Sequence, residues 1–305
     1  MTRVAAVDCG TNSIRLLVSE GTREGARELD RRLIITRLGQ GVDATGEFHP
    51  DALARTFAAC DEYAVVLADL GVERIRFVAT SAARDAGNRQ EFYDGVESRL
   101  GVRPEIIPGQ EEAQLSFGGA VATAQARGPV ALPALVMDVG GGSTELFVGA
   151  DAGSASGVSL DMGSVRIRER FLHSDPPTAA EVGEATAFID GLLDSSGIDF
   201  ATPATWFGVG GTATALAAIV LELPAYDRAL VDGARLTREQ IVAVSERLLT
   251  WPVARVLQIP TMVPGRADVI CAGALIVRRI AERLAVPLAV SEADILDGLV
   301  AGLLA

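Results

Sequence analysis

A chain of 305 residues, 49% hydrophobic and only 5% aromatic, can bury the cores of two ordinary domains. Its formal net charge of −13 argues against a general nucleic-acid or anionic-membrane surface, and no apolar run approaches bilayer length. The sequence contains no lysine, so all 27 basic residues are arginine. That excludes a Walker A loop, a Schiff-base lysine and a lysine general base, and leaves backbone N–H groups, a metal or arginine forks to hold a polyanion.

Along the chain, a short apolar strand over residues 4–7 meets a polar turn and resumes over 14–18 as a hairpin. The N-terminus lacks the apolar core and cleavage site of a signal peptide, which predicts a cytoplasmic protein. A third strand is expected over 33–38 and a helix over 51–70, stopped by Gly71. A strand over 74–79, a cap at Thr80 and Ser81, a helix over 88–100 and a strand over 105–107 follow. Pro108 and Gly109 then introduce a helix bearing Glu111 and Glu112. The small-residue stretch 124–133 reads as the domain connection. Beyond it, a strand over 135–138 stops in Gly140, Gly141 and Gly142 and resumes over 145–148. Helices are expected over 165–171, 178–193, 212–223, 237–249, 267–284 and 292–304, with a buried strand over 206–209. Alternating strands and helices define an α/β class. Cys9, Cys60 and Cys271 lie too far apart for a zinc or disulfide framework, and Cys9 reads as a small strand-end residue rather than a catalytic thiol. His49 and His173 stand in turn-like surface contexts.

An internal repeat organises this pattern. Placing Asp8 on Asp138 superposes Asp, Gly, Ser, Leu and Val without a gap, which predicts two related domains, each opening with the same hairpin. A strand ending in Asp, followed by a Gly-rich turn, leaves room for a phosphate and aims consecutive N–H groups at it. Gly10, Thr11, Asn12 and Ser13 form one tip, and Gly140, Gly141, Gly142, Ser143 and Thr144 the other; Asn12, Ser13, Ser143 and Thr144 add side-chain donors. Asp8 and Asp138 are candidate ligands for hydrated Mg²⁺. Arg15 and Glu145 occupy equivalent positions with opposite charge, and the expectation is that Arg15 touches phosphate while Glu145 orients water or metal. A third turn, Gly208-Val209-Gly210-Gly211-Thr212-Ala213, formally fits a dinucleotide fingerprint, but a phosphate-facing helix N-terminus explains it equally well.

Six segments together resemble the exopolyphosphatase / guanosine pentaphosphate phosphohydrolase family, in order and across essentially the whole chain. They are Asp8-x-Gly10-Thr11-Asn12-Ser13-x-Arg15, the stretch from Ala79 through Arg84 to Asn88, Gly109-x-Glu111-Glu112-Ala113-x-Leu115, Asp138-x-Gly140-Gly141-Gly142-Ser143-Thr144-Glu145, Gly210-Gly211-Thr212, and Arg266-Ala267-Asp268-Val269-Ile270. The resemblance implies two ribonuclease H-like domains of the actin-like ATPase and sugar-kinase superfamily with an interdomain cleft. The first would comprise 1–124 plus about 292–305, and the second 125–291.

It further implies Glu112 as the base for water attacking a terminal phosphate, with Glu111 the near alternative. Asp138 and Glu145 would bind Mg²⁺, for which Mn²⁺ is a substitute, and position the water. Arg84 and Arg266 would grip the polyanion. Gln114 stands where the family often has arginine, which bears on affinity and substrate choice. The implied reaction is release of orthophosphate from inorganic polyphosphate, with short chains favoured because longer members carry further helical domains. Hydrolysis of guanosine pentaphosphate is the alternative within the same chemistry. An ATP-dependent kinase of the same fold, and a regulator that binds polyphosphate or guanosine tetra- or pentaphosphate with little turnover, are alternatives of another class. No nucleic-acid or membrane partner is expected, and a homodimer suits an acidic chain of this size.

Overall fold

The computed structural model describes residues 1–22, 25–151 and 154–305. The chain divides into two compact units, Met1–Gly119 with Ile295–Ala305, and Ala120–Asp294.

The first unit is built on a mixed sheet of β1 (Thr2–Cys9), β2 (Ser13–Thr22), β3 (Gly25–Ile35), β4 (Arg74–Ala79) and β5 (Glu105–Ile106), in the order β3-β2-β1-β4-β5. β1 pairs antiparallel with β2 and parallel with β4. Because side chains alternate across a strand, β1 serves two cores. Ala5 and Val7 face a cluster with Leu53 and Tyr63 of helix α1 (Pro50–Asp69) and Phe92 of α2 (Arg89–Leu100). Val4 and Ala6 face Ile295, Leu296, Leu299 and Val300. Those four belong to the last helix of the chain, whose apolar stripe thereby completes the first unit; burying each such side chain contributes about 1.5–3 kcal/mol. Asp297 fixes that helix to β3, accepting from Arg31 at 3.0 and 3.1 Å. His49, expected in a surface loop, caps α1, its Nδ1 accepting from the Asp51 amide.

In the second unit, β6 (Ala134–Val139), β7 (Thr144–Gly149), β8 (Ser156–Leu160), β9 (Thr205–Val209), β10 (Arg235–Leu236) and β11 (Leu288–Val290) form one sheet ordered β10-β11-β9-β6-β7-β8. Read outward from β6, it repeats the first sheet: β8-β7-β6-β9-β11 corresponds to β3-β2-β1-β4-β5, with one further strand at the edge. This order, with the second strand antiparallel, is ribonuclease H-like in both units. One face carries the main core, where Leu135, Met137 and Leu146 meet Ile189, Leu216 and Leu275 from the covering helices.

The helix that bears Glu111 and Glu112 is α3 (Gly109–Arg127). It therefore takes in 124–127, which the small-residue composition had assigned to the connection. The second unit then holds α4 (Ser164–Phe171), α5 (Ala179–Ser195), α6 (Gly210–Val220), α7 (Arg238–Thr250) and α8 (Ile270–Ala281). The final helix, α9 (Ile295–Leu304), starts three residues later than its sequence pattern suggests, because Ser291 and Ala293 form a local hydroxyl-closed turn before it. α8 also starts later than expected, behind a 3-10 turn over Pro264–Arg266.

Candidate active site

The two predicted hairpin tips fold alike. In each, the first glycine amide bonds back across the turn: Gly10 N–H to the Ser13 carbonyl at 2.9 Å, and Gly140 N–H to the Ser143 carbonyl at 3.0 Å. The remaining tip carbonyls are occupied from behind. Thr36 and Arg37 donate to the Asn12 carbonyl and Gly39 to that of Thr11. In the second unit the start of α4 does the same work: Ser164 donates to the Gly140 carbonyl, Val165 and Arg166 to that of Gly141, and the Arg166 Nε to that of Gly142 at 2.8 Å. A trans peptide points its N–H opposite to its C=O. Turning these carbonyls inward therefore turns outward the amides of Asn12 and Ser13 in one tip, and of Gly141, Gly142 and Ser143 in the other. Consecutive outward amides of this kind suit an anion.

Close approach makes this possible. Gly163 lies so near the second tip that a Cβ there would stand 2.2 Å from the Gly141 carbonyl group.

The carboxylates differ between the tips. Asp8 is paired across the strands with Arg15, which donates to Asp8 Oδ2 through Nε at 3.0 Å and Nη2 at 2.5 Å. Arg15 was expected to reach a phosphate; its guanidinium pairs with the carboxylate directly opposite it. At the same register in the second tip, Asp138 faces Glu145. Both are buried, and like charges directly opposite repel. Glu145 Oε1 accepts from the hydroxyls of Ser143 at 2.7 Å and Ser159 at 2.6 Å. Two opposed carboxylates with hydroxyl support fit Mg²⁺, which takes one or two carboxylates and fills its remaining positions with water and phosphate oxygens. No grouping of three or more His, Cys, Asp or Glu suited to a metal occurs among the described residues.

The expected hydroxyl donors at the second tip are committed elsewhere. A hydroxyl has a single proton. Ser143 gives its proton to Glu145, Thr144 to the Met162 carbonyl, and Thr212 to the Val139 carbonyl at 2.8 Å. These side chains build the turn, and its amides present the donors.

Glu111 and Glu112 point different ways. Glu112, with a side chain 12% exposed, receives Arg84 Nη1 at 2.8 Å, and the same nitrogen donates to the Ile107 carbonyl at 3.0 Å. Glu111 pairs with Arg76 at 2.8 Å at a more exposed position. Arg84 thus holds Glu112 in place. Gln114 lies on the exposed side of α3.

The third glycine turn sits beside Asp138. Gly210, at φ +74, approaches so closely that a Cβ would stand 2.5 Å from Asp138 Oδ1. α6 begins here, and its positive end favours the Asp138 carboxylate. Arg266 caps the outside, donating to the Gly211 carbonyl at 3.1 Å. Cys9, behind the first tip, is fully buried, and burial holds its thiol well above the usual range. It stays protonated and serves packing.

Sequence reasoning missed Ser159, Gly163 and Arg166. The signal was present for two of them: Gly163-Ser164 is a helix-start pattern two residues ahead of Arg166. Ser159 lies opposite Glu145 on β8, a strand no periodicity announced.

Two ribonuclease H-like units, each opening with the same Asp-led glycine hairpin, define the class of fold. The model of the Ppx/GppA phosphatase family matches residues 17–301, and the chain belongs to that family. Exopolyphosphatase 2 of Mycobacterium tuberculosis is 44% identical over 98% of both chains. A crystal structure of an exopolyphosphatase-like protein superposes with a TM-score of 0.94 at 41% identity, covering 99% of each chain. The Aquifex aeolicus member of the Ppx/GppA family gives 0.80 at 31% identity, covering 99% of this chain and 97% of that one.

Proposed function

We propose that the protein is a Mg²⁺-dependent exopolyphosphatase that releases orthophosphate from the end of inorganic polyphosphate. The observation that carries this reading is the end-to-end 44% identity to a protein bearing that activity in its name. The amide-lined tips support it, since phosphoryl transfer needs positioning and charge neutralisation more than covalent chemistry. Asp138 and Glu145 would hold Mg²⁺, which supplies charge neutralisation at the phosphate oxygens. The amides of Asn12, Ser13, Gly141, Gly142 and Ser143 bind phosphate oxygens. Glu112, oriented by Arg84, takes the proton of the attacking water. The two or three amides of each tip grip only a few phosphate oxygens, so short chains suffice to occupy them.

Guanosine pentaphosphate is the second reading, favoured by the joint name of the matching family. The test is orthophosphate release with Mg²⁺ from short polyphosphate, long polyphosphate and guanosine pentaphosphate side by side. Fastest release from short polyphosphate is expected. Release from guanosine pentaphosphate alone would replace the first reading by the second, and no release from any substrate would remove both.

A further inference from the structure

The carboxyl end of α6 borders a cavity that none of the glycine-tip residues lines. Ten residue steps at about 1.5 Å each put it roughly 15 Å along the helix from the Gly210 turn. Its volume is about 380 Å³, and its walls include Glu222, Leu223, Arg247, Trp251, Arg255 and Ile259. Cavities of this size take small ligands.

Its charges are unusual. The Arg255 guanidinium carbon lies 3.8 Å from the Trp251 ring centroid, and that of Arg247 lies 5.4 Å away. In a chain with 40 acidic and 27 basic residues, most arginines have a carboxylate within reach. Among the described residues, neither Arg247 nor Arg255 meets one, and the buried Arg247 Nε has no acceptor. Glu222, which also lines the cavity, occupies a left-handed position at φ 52, which favours glycine. Its amide and that of Leu223 close α6 onto the Ile219 and Ala218 carbonyls, so its carboxylate sits at the negative end of the helix. That carboxylate is not salt-bridged to either arginine.

The lining thus combines one carboxylate, two guanidinium groups and the apolar side chains of Leu223 and Ile259. A simple anion would face Glu222 and the helix dipole, and a simple cation would face two arginines. A zwitterion satisfies both. We propose that this cavity binds a free apolar α-amino acid, its carboxylate on the Arg247 and Arg255 forks, its ammonium at Glu222, and its side chain against Leu223 and Ile259. The arginine forks suit a carboxylate bidentately. The proposal stands independently of the hydrolase reading.

The chain supplies its own probe. Of its two tryptophans, Trp206 is 1% exposed in the core, and Trp251 borders the cavity. Titrating the full chain with L-leucine should give a saturable change in Trp251 emission that Trp251→Phe abolishes, with calorimetry reading the same binding directly. Glycine, N-acetylleucine and leucinamide, which lack the side chain, the ammonium and the carboxylate respectively, should each bind at least about tenfold more weakly. Arg255→Gln and Glu222→Gly should each cost about tenfold in leucine affinity, the expected scale for one lost charged hydrogen bond. Both positions are exposed, and glycine suits the backbone at 222, so unfolding cannot account for a loss there. The proposal is overturned by no saturable heat or emission change with leucine, by equal affinity for leucinamide or N-acetylleucine, or by wild-type affinity in both variants.

Discussion

Asp8 and Asp138 hold the same position in two copies of one hairpin, and a single facing residue separates their chemistry. Arg15 gives Asp8 an internal counter-charge, whereas Glu145 sets a second carboxylate opposite Asp138. The adjacent pair Glu111 and Glu112 separates just as sharply, because neighbouring helix residues point about 100° apart. Glu112→Ala should lower orthophosphate release by about 10²–10⁴-fold, the usual worth of general-base assistance. Glu111→Ala, which loses only a surface pair with Arg76, should stay near normal. The reverse pattern would move the base by one residue. Ser159 supplies one of the two hydroxyl donors to Glu145. Ser159→Ala should lower kcat about tenfold with little change in KM, on the scale of one hydrogen bond to a charged group. Ser159→Thr, which keeps the hydroxyl, should recover most of it. A change in KM alone would place Ser159 outside the positioning of Glu145.

At the scale of elements, the N-terminus of α4 is the part that takes up the carbonyls of the second tip and turns its amides outward. Gly163→Ala would drive a methyl into the Gly141 peptide. It should cost about 1–3 kcal/mol of stability, as overpacking does, and abolish orthophosphate release beyond what that loss explains. An active variant with unchanged Tm would contradict the packing. α5 offers a separate test through its capping box. The Glu181 carboxyl is lowered from 4.5 to about 2, first by the Thr178 amide and then by the Ser174 amide and the two hydroxyls. Its folded value lies below its unfolded one, so its contribution is complete above about pH 4.5 and is lost as pH falls through about 2. Glu181→Gln should therefore flatten the decline of Tm across that window, and an unchanged slope would refute the assignment. The long elements were legible because burial imposes periodicity on them: α1 buries Leu53, Thr56, Cys60, Tyr63 and Leu67 at helical spacing. β8, β10 and β11 were not, since five, two and three residues carry too little pattern. The Asp8–Arg15 pairing was available in principle, because a four-residue tip sets positions 8 and 15 opposite each other.

At the scale of the molecule, the duplication is the feature the sequence displayed most clearly, since a gap-free repeat of Asp, Gly and Ser has few other causes. It carried the two related domains and both tips. The devices that aim the tips stayed hidden because they come from segments remote in sequence: 36–39 behind the first tip, and Ser159, Gly163 and Arg166 behind the second. A chain without lysine can meet a polyanion only with backbone, metal or arginine, and both tips turn consecutive amides outward. The decisive measurement is the initial rate of orthophosphate release from polyphosphate by the purified protein, with Mg²⁺ and after chelation. Steady release with Mg²⁺ and its loss on chelation are the expected results; undiminished release after chelation, or none in either condition, would contradict a Mg²⁺-dependent polyphosphate phosphohydrolase.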